Sequence, residues 1–367
     1  MKKILITGAG GFIGGRLVEV LKETTNPDIN ILLRNIEKAA RISTYPLNYF
    51  KGSITNEESL NASMQGCDTV VHCAHDFANP EANLLAANLI ANHCLQHGIK
   101  KLIYISSFAV HRSDTGVTID EQSTLNEDWD YAINKSAIER TLIACYHQFG
   151  LPVIILRPTI VYGPFSAAWT TNTVTQMLGG RVVIPFNGER ICNAVYIDDV
   201  VNAIIKALQS SSDCNGKSFI VSGPDAVTWK EYYNSFLLYA GINEPVFMNL
   251  QESEEWNVKL YTDQPVESKS LLFKDPISFL KKTPVYGFYK QLLKNPSLRK
   301  KLLSAKAAIP RPLIFPSKET FENFSCIGTA DISKIKSELG FQPRFFFQEG
   351  IKKTLLWVDW ANLNCNS

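Results

Sequence analysis

The chain has 367 residues, of which 45% are hydrophobic and 20% charged, which excludes a disordered or fibrous protein and fits one large or two closely joined globular domains. Its formal net charge of +2 gives no overall reason to expect nucleic-acid binding. No uninterrupted run of about 20 apolar residues occurs, so no membrane span is predicted. The eight cysteines form no CxxC-type pair, which predicts reduced thiols in a cytoplasmic protein.

The first half of the chain alternates short β-branched runs with longer helical patterns. Strands are predicted at 3–7, 29–33, 48–51, 68–74, 101–107 and 151–158. Helices are predicted at 13–24, 56–64 and 81–97 and from Tyr131 onward. This alternation predicts an α/β fold with a doubly wound parallel sheet buried on both faces.

After Pro164 the pattern becomes irregular, and residues 250–320 are the least regular part. A helix at 198–209, a strand at 217–223 and a helix capped by Thr228 are predicted there. We therefore divide the chain into a sheet domain and a smaller C-terminal region. The sheet domain takes in 1–164, with 195–223 returning to it, and the smaller region takes in 165–194 and 224–367.

A glycine-rich loop, TGAGGFIG, lies between the first strand and the first helix. Gly8, Gly11 and Gly14 recur every three residues, and Phe12 and Ile13 stand between the last two. Glycines here permit a tight turn and a close approach to a pyrophosphate, while the helix N-terminus offers N–H donors. The loop therefore predicts a dinucleotide site, and the alternative is a glycine-rich turn without a ligand.

Arg34 stands at the end of the second predicted strand, where an acidic residue would accept hydrogen bonds from an adenosine ribose. A guanidinium suits a 2′-phosphate instead. We therefore expect NADP(H) in preference to NAD(H). The alternative is that Arg34 is a solvated surface charge.

A serine loop, ISSFAVH, follows the fifth strand at the sheet edge where ligands bind in such folds. Tyr131 and Lys135 come four residues apart at the start of the next helix. In this arrangement Lys135 would lower the pKa of Tyr131 and bind the cofactor ribose, Tyr131 would exchange a proton with the substrate, and Ser107 would orient the substrate oxygen. The same spacing at Tyr286 and Lys290 has no preceding strand or serine loop, so spacing alone decides nothing.

The motifs, taken in order, resemble those of the extended short-chain dehydrogenase/reductase superfamily, NAD(P)-dependent epimerase/dehydratase type. They are TGAGGFIG at 7–14, DTVVHCA at 68–74, ISS at 105–107, YAINK at 131–135, RPTIVYGP at 157–164, VYIDDV at 195–200 and ADISKIKSELGFQPRFFFQEGI at 330–351. The resemblance spans nearly the whole chain. It implies a Rossmann dinucleotide-binding domain, a C-terminal substrate-binding or lid region, a Ser-Tyr-Lys active site and chemistry at a carbinol or ketone carbon.

The same matching implies roles for further residues. Ala74 would line the cofactor pocket, Asn83 would support the active site from its helix, and Pro158 would lie near the nicotinamide. A homodimer is also implied by the resemblance.

The sequence departs from this family at the substrate side. Sugar dehydratases carry an Asp-Glu pair where Phe108 and Ala109 stand, so dehydration is disfavoured. Nucleotide-sugar members often carry a pyrophosphate-binding arginine at the position of Cys192, and Arg190, two residues away, is a possible replacement. His111 replaces a tyrosine that is common in the serine loop. Phe108, His111, Cys192 and Arg190 are therefore candidate substrate-binding residues.

His75 lies just beyond the fourth strand and is a candidate pocket residue, with packing as the alternative. His72 and His75 bracket Cys73, but neighbouring strand positions face opposite sides, so we expect no metal site.

A basic segment, 274–311, holds ten Lys or Arg against one Asp, interleaved with aromatic residues and leucine. It is either a solvated insertion or a surface element that makes weak contact with an anionic membrane or substrate.

The leading interpretation is an NADP(H)-dependent oxidoreductase or epimerase that acts on a hydroxyl or keto carbon of a sugar-like, nucleotide-activated small molecule. Net reduction would consume NADPH, whereas epimerisation would retain the cofactor. One alternative is an NADPH-dependent ketoreductase of a non-sugar secondary metabolite or steroid-like ketone. Another is a dinucleotide-sensing protein without turnover.

Overall fold

The computed structural model describes residues 3–113, 118–237, 244–262 and 311–361. Its strands β1 to β16 are Lys3–Thr7, Asp28–Leu33, Asn48–Lys51, Thr69–His72, Lys101–Ile105, Thr118–Ile119, Val153–Pro158, Ile160–Tyr162, Arg181–Ile184, Ile191–Cys192, Ala194–Tyr196, Lys217–Val221, Val227–Thr228, Val246–Phe247, Leu313–Ile314 and Thr329–Ala330. Its helices α1 to α11 are Phe12–Thr24, Glu57–Met64, Pro80–Gln96, Asp130–Phe149, Asn172–Gly179, Ile197–Gln209, Trp229–Asn234, Leu250–Tyr261, Lys318–Phe324, Ser333–Leu339 and Phe347–Trp360.

The main sheet has seven parallel strands in the order β12-β7-β5-β4-β1-β2-β3. The predicted doubly wound α/β fold is thereby confirmed, and the predicted strand at 217–223 joins the edge of this sheet as β12. The strand order reverses between β1 and β4. A crevice at the carboxyl ends of the strands is expected at such a reversal.

Alternating residues of the central strand reach the two faces of the sheet. Ile4 and Ile6 pack in a cluster with residues of α1 and α6, whereas Leu5 packs in a second cluster with residues of α2, α3 and α4. All three side chains are fully buried. Burial on both faces explains why the strands appear in the sequence as nearly continuous apolar runs.

A smaller region lies beyond the carboxyl edge and includes a three-stranded sheet in the order β14-β9-β15. Trp229 is buried there against Phe324, with ring centroids 4.7 Å apart. Thr228 caps α7 as predicted, through a capping box with Glu231. The division of the chain at 164, 194 and 223 stays a proposal.

Residues 250–320 were expected to be the least regular part of the chain, and the described part of this range includes the helix α8. A capping box between Asn249 and Glu252 starts this helix. The pair Tyr286 and Lys290 and residues 274–310 of the basic segment lie outside the described residues.

The seven cysteines of the described part are free thiols, and five of them are buried. Within the same part, no helix combines the length and the apolarity needed to cross a bilayer.

Candidate active site

A cleft of about 920 Å³ runs along the carboxyl edge of the sheet. At one end it is lined by the glycine loop and the residues that follow β2, and at the other by the start of α4 and by residues of α5 and α9. Every cofactor-binding residue predicted from the sequence lines it: Gly8, Gly11, Phe12, Ile13, Gly14, Arg34, Ala74, Tyr131, Lys135 and Pro158.

The glycine loop leaves no space for side chains at two of its positions. Gly8 has a φ of +74°, and a Cβ there would lie 2.6 Å from the backbone nitrogen of Ala74. A Cβ on Gly14 would overlap the carbonyl oxygen of Gly8. Gly11 begins the turn into α1 by donating its N–H to the Gly8 carbonyl at 2.9 Å. The loop therefore presents bare backbone and a helix N-terminus to the cleft, which fits a dinucleotide pyrophosphate.

Ser107, Tyr131 and Lys135 all line the other half of the cleft. Ser107 comes directly after β5, and Tyr131 and Lys135 occupy the first two turns of α4. Burial raises the pKa of Tyr131, and a hydrogen bond with Ser107 opposes part of that shift. The net shift is thus upward, whereas the charge of Lys135 alone was expected to lower it. Tyr131 keeps its proton at neutral pH.

Lys135 is a buried ammonium whose Nζ donates to the carbonyl oxygen of Ile105 at 3.0 Å. Burial lowers its pKa to about 8, and the negative charge of Glu139 opposes that shift. Nζ also lies 5.9 Å from the centre of the Tyr131 ring. The lysine therefore stands next to the phenol as a cation that is easily neutralised by a rise in pH.

Glu139 lies one helical turn after Lys135 and forms a buried bidentate ion pair with Arg157. Arg157 Nε donates to Glu139 Oε1 at 3.0 Å, and Arg157 Nη2 donates to Glu139 Oε2 at 2.5 Å. Both side chains are only 8% exposed. His111 completes this group: its Nε2 lies 3.0 Å from Arg157 Nη1, and its Nδ1 lies 3.0 Å from the carbonyl oxygen of Ser123. Burial lowers the pKa of His111 to about 4, so the ring is neutral, donates through Nδ1 and accepts through Nε2.

We expect Glu139→Gln to move the alkaline limb of the pH profile of kcat/KM to lower pH. The ammonium of Lys135 is present below its pKa of about 8 and is lost as the pH rises through that value. Removing the carboxylate charge that raises this pKa shortens the range in which Lys135 is charged. The profile of Glu338→Gln, a surface substitution, should match that of the wild type. If the alkaline limb of the kcat/KM profile stayed at the same pH in Glu139→Gln, the titration of Lys135 would not be its cause.

Two cations line the cleft beyond the end of β2. Arg34 lines it with its side chain 67% exposed and forms an ion pair with Asp76 at 2.9 Å. Lys38 lines it as well, with its Cβ and backbone close to Gly10. Sequence reasoning missed Lys38, whose position four residues after Arg34 could have suggested a second cation on the short helix that follows β2.

The loop after β4 brings His75 and Phe77 beside Tyr131. The ring of His75 meets that of Tyr131 edge to face at 5.4 Å, and Phe77 stacks on Tyr131 at 5.7 Å. Burial lowers the pKa of His75 to about 3, so its ring is neutral. Asn83 holds the loop by accepting from the backbone N–H of Asp76 and donating to its carbonyl, both at 2.8 Å. Sequence reasoning missed Phe77, although it follows the same strand as His75.

The other predicted substrate residues lie elsewhere. Phe108 and His111 line a small second cavity of about 50 Å³. Cys192 is fully buried in β10, and the guanidinium of Arg190 lies 4.6 Å from the centre of the Phe186 ring. Neither Cys192 nor Arg190 is among the described residues that line the two cavities.

His72 is buried, and its Nδ1 lies 2.7 Å from the hydroxyl oxygen of Thr7. Among the described residues, no group of three His, Cys, Asp or Glu is arranged to hold a metal ion.

The sequence of this chain is similar to those of a known enzyme family and of several characterised proteins. Residues 4–221 match the family model of the NAD dependent epimerase/dehydratase family. The 2-alkyl-3-oxoalkanoate reductase of Stenotrophomonas maltophilia is 25% identical over 65% of this chain and 76% of its own length. The UDP-glucose 4-epimerase of Vibrio cholerae is 26% identical over 62% of this chain and 73% of its own.

A solved structure shares the fold. The UDP-glucose 4-epimerase of Thermotoga maritima, solved with UDP-glucose, has a TM-score of 0.69 at 19% identity and covers 98% of this chain and 99% of its own. The family match extends over more than half of the chain and includes the glycine loop, the serine loop and the Tyr-Lys pair. The chain belongs to the NAD-dependent epimerase/dehydratase family of extended short-chain dehydrogenase/reductase enzymes.

Proposed function

We propose that the chain catalyses NADP(H)-dependent hydride transfer at a hydroxyl or keto carbon, with Tyr131 as the acid and base. The observation that supports this most is that Tyr131, Lys135 and Ser107 line the same cleft as the glycine loop. The nicotinamide group, when bound, supplies or accepts the hydride. Because burial raises the pKa of Tyr131, the phenol is protonated at neutral pH and ready to protonate a carbonyl oxygen.

The neighbouring groups assist that proton transfer. The Ser107 hydroxyl hydrogen-bonds with Tyr131 and is placed to orient the substrate oxygen. The Lys135 ammonium stabilises the phenolate that remains when Tyr131 gives up its proton, and it is placed to bind a ribose hydroxyl. The presence of all three groups favours turnover over a purely sensory role.

The coenzyme we propose is NADP(H). Arg34 and Lys38 put two cations where the adenosine ribose lies in folds of this kind, and β2 ends without a carboxylate. Asp76 pairs with Arg34 and keeps the guanidinium beside the cleft.

Two substrate classes remain, and different observations support them. A sugar-like, nucleotide-activated hydroxyl or ketone is supported by the relationship to UDP-glucose 4-epimerase. A non-sugar ketone, such as a secondary metabolite or steroid-like compound, is supported by the relationship to 2-alkyl-3-oxoalkanoate reductase and by the burial of Cys192, where a pyrophosphate-binding arginine would otherwise stand. Phe108, His111, Cys192, Arg190 and His75 stay proposals as substrate residues.

We also propose a homodimer, as the family resemblance implies, and a cytoplasmic location, as the spacing of the cysteines predicts. A weak membrane contact through 274–311 remains a separate proposal about a segment that lies, except for Arg311, outside the described residues.

The test of this function is a titration with NADPH and NADH, in the wild type and in Arg34→Ala. We expect the wild type to prefer NADPH and the variant to bind NADPH about 10-fold or more weakly, because a charge-assisted contact to the 2′-phosphate is lost. The affinity for NADH should change less than about twofold. Arg140→Ala removes an exposed arginine from α4 and serves as the matched control.

Two outcomes would contradict this proposal. If Arg34→Ala weakened the binding of NADPH and of NADH equally, Arg34 would not determine which coenzyme the chain prefers. Failure of the wild type to bind either dinucleotide would remove the proposed function itself.

A further inference from the structure

The cleft beside the proposed proton donor has an aromatic wall, formed by His75, Phe77, Trp129 and Tyr131. The ring centroids of His75, Phe77 and Trp129 lie 5.4, 5.7 and 5.3 Å from that of Tyr131. Phe77 and Tyr131 are nearly parallel, with an interplanar angle of 17°, and Phe77 also meets His75 edge to face. All four residues line the cleft, and their rings form one aromatic cluster there.

Phe77 is the exposed member of this wall, with 78% of its surface accessible. Its loop is nevertheless held in place, because Asn83 bonds the backbone of Asp76 and also donates to the side chain of Asn134 on α4 at 3.3 Å. Asn134 in turn donates to the carbonyl of Pro80 at 2.9 Å. An apolar ring fixed in a concave site next to the proton donor is typical of a ligand contact.

Trp129 contributes a buried indole behind this wall. Its side chain is 8% exposed, and its Nε1 has no hydrogen-bond partner among the described residues. A buried indole N–H normally finds an acceptor. Because Nε1 itself is buried, the indole supports the wall by packing against Tyr131 and offers no hydrogen bond to the cleft in this structure.

The charges of the cleft are distributed unevenly. The cations among its described lining residues are Arg34, Lys38 and Lys135. The first two lie at the adenosine end, and Lys135 belongs to the catalytic group. The described part of the substrate half therefore offers a diphosphate no further cation, while Glu319 adds a carboxylate there. This lining suits an uncharged molecule better than a nucleotide-activated one.

We propose that the aromatic wall binds the apolar ring or chain of an uncharged ketone, or of the corresponding secondary alcohol, against Phe77. This proposal rests on the hydride-transfer function proposed above and names its substrate class. In the reductive direction the carbonyl carbon receives the hydride of NADPH, the carbonyl π electrons move to oxygen, and that oxygen takes the proton of Tyr131. The products are the alcohol and NADP⁺, and Tyr131 regains a proton from solvent.

The experiment is a calorimetric titration of the full chain saturated with NADP⁺, with trans-1-decalone and UDP-glucose as probes. The bicyclic ketone should bind with a Kd at or below about 1 mM. UDP-glucose should bind at least about 10-fold more weakly than the ketone. Phe77→Ala should weaken ketone binding by about fivefold to 10-fold, because an aromatic contact and its apolar area are lost. The affinity of Phe77→Ala for NADP⁺ should stay within about twofold of the wild type.

Phe149→Ala is the matched control, since it removes a 65% exposed phenylalanine at the far end of the same α4 helix, and it should leave ketone binding unchanged. Three results would overturn the substrate class: tighter binding of UDP-glucose than of the ketone, no saturable ketone binding to the NADP⁺-loaded chain, or equal ketone affinities of Phe77→Ala and the wild type. Failure of both NADP⁺ and NAD⁺ to bind would instead refute the proposed function, so the two failures are distinguishable.

Discussion

Replacing Tyr131 by phenylalanine is expected to lower kcat by about 10²- to 10⁴-fold, the usual contribution of a positioned general acid or base. The change removes one hydroxyl and keeps the ring, so the contacts with His75, Phe77 and Trp129 persist. The affinity for NADP(H) should therefore remain close to that of the wild type. Steady-state rates of NADPH oxidation and a direct NADPH titration measure the two effects separately.

The control for this prediction is Tyr49→Phe, at a partly exposed tyrosine of β3. It should have wild-type rates. Ser107→Ala should lower kcat as well, because the serine hydroxyl hydrogen-bonds with the phenol. If most activity survived in a chain that carries both Tyr131→Phe and Ser107→Ala, the assigned roles would be wrong.

Removing the guanidinium of Arg157 is expected to reduce the free energy of unfolding by about 3 to 5 kcal/mol, the usual cost of breaking a buried ion pair. In Arg157→Ala the carboxylate of Glu139 stays buried without its two charge-assisted hydrogen bonds. The Nε2 of His111 also loses its donor. Urea unfolding of the variant and of the wild type measures the difference.

The matched control is Lys217→Ala, which breaks the ion pair with Glu338 in which both side chains are partly exposed. It should cost less than about 1 kcal/mol. Combining Arg157→Met with Glu139→Leu should restore much of the stability lost in Arg157→Ala, because both charges are then removed together. A cost for Arg157→Ala no larger than that of the control would contradict the buried-pair account.

The sheet, and the cleft that the predicted cofactor-binding residues line together, could be predicted because their signals are local. A buried parallel strand is apolar along its whole length, and a glycine loop between a strand and a helix has few other uses. Tyr131 and Lys135 could be predicted as a functional pair only because they follow the serine loop. Their four-residue spacing was not sufficient, since Tyr286 and Lys290 have the same spacing.

The substrate half was harder to predict because its residues come together only in the fold. Trp129 and Phe77 are separated by more than fifty residues of sequence yet contact the same ring. Cys192 is buried in β10, and both ring nitrogens of His111 are engaged by Arg157 and Ser123. Their roles at the substrate stay predictions.

The edge strand β12 also has a consequence for how this chain folds. It pairs with β7 through Phe219 and Leu156, and between the two strands the chain passes through part of the smaller region and α6. Val200 and Ile204 of α6 cover the face of the sheet on which Ile6 lies. A ribosome that has released only the first 164 residues has therefore produced a sheet with one strand missing and with one face covered by α1 but not by α6. We infer that stable tertiary structure forms only after β12 has emerged, and that a fragment ending at 164 would expose its core to aggregation.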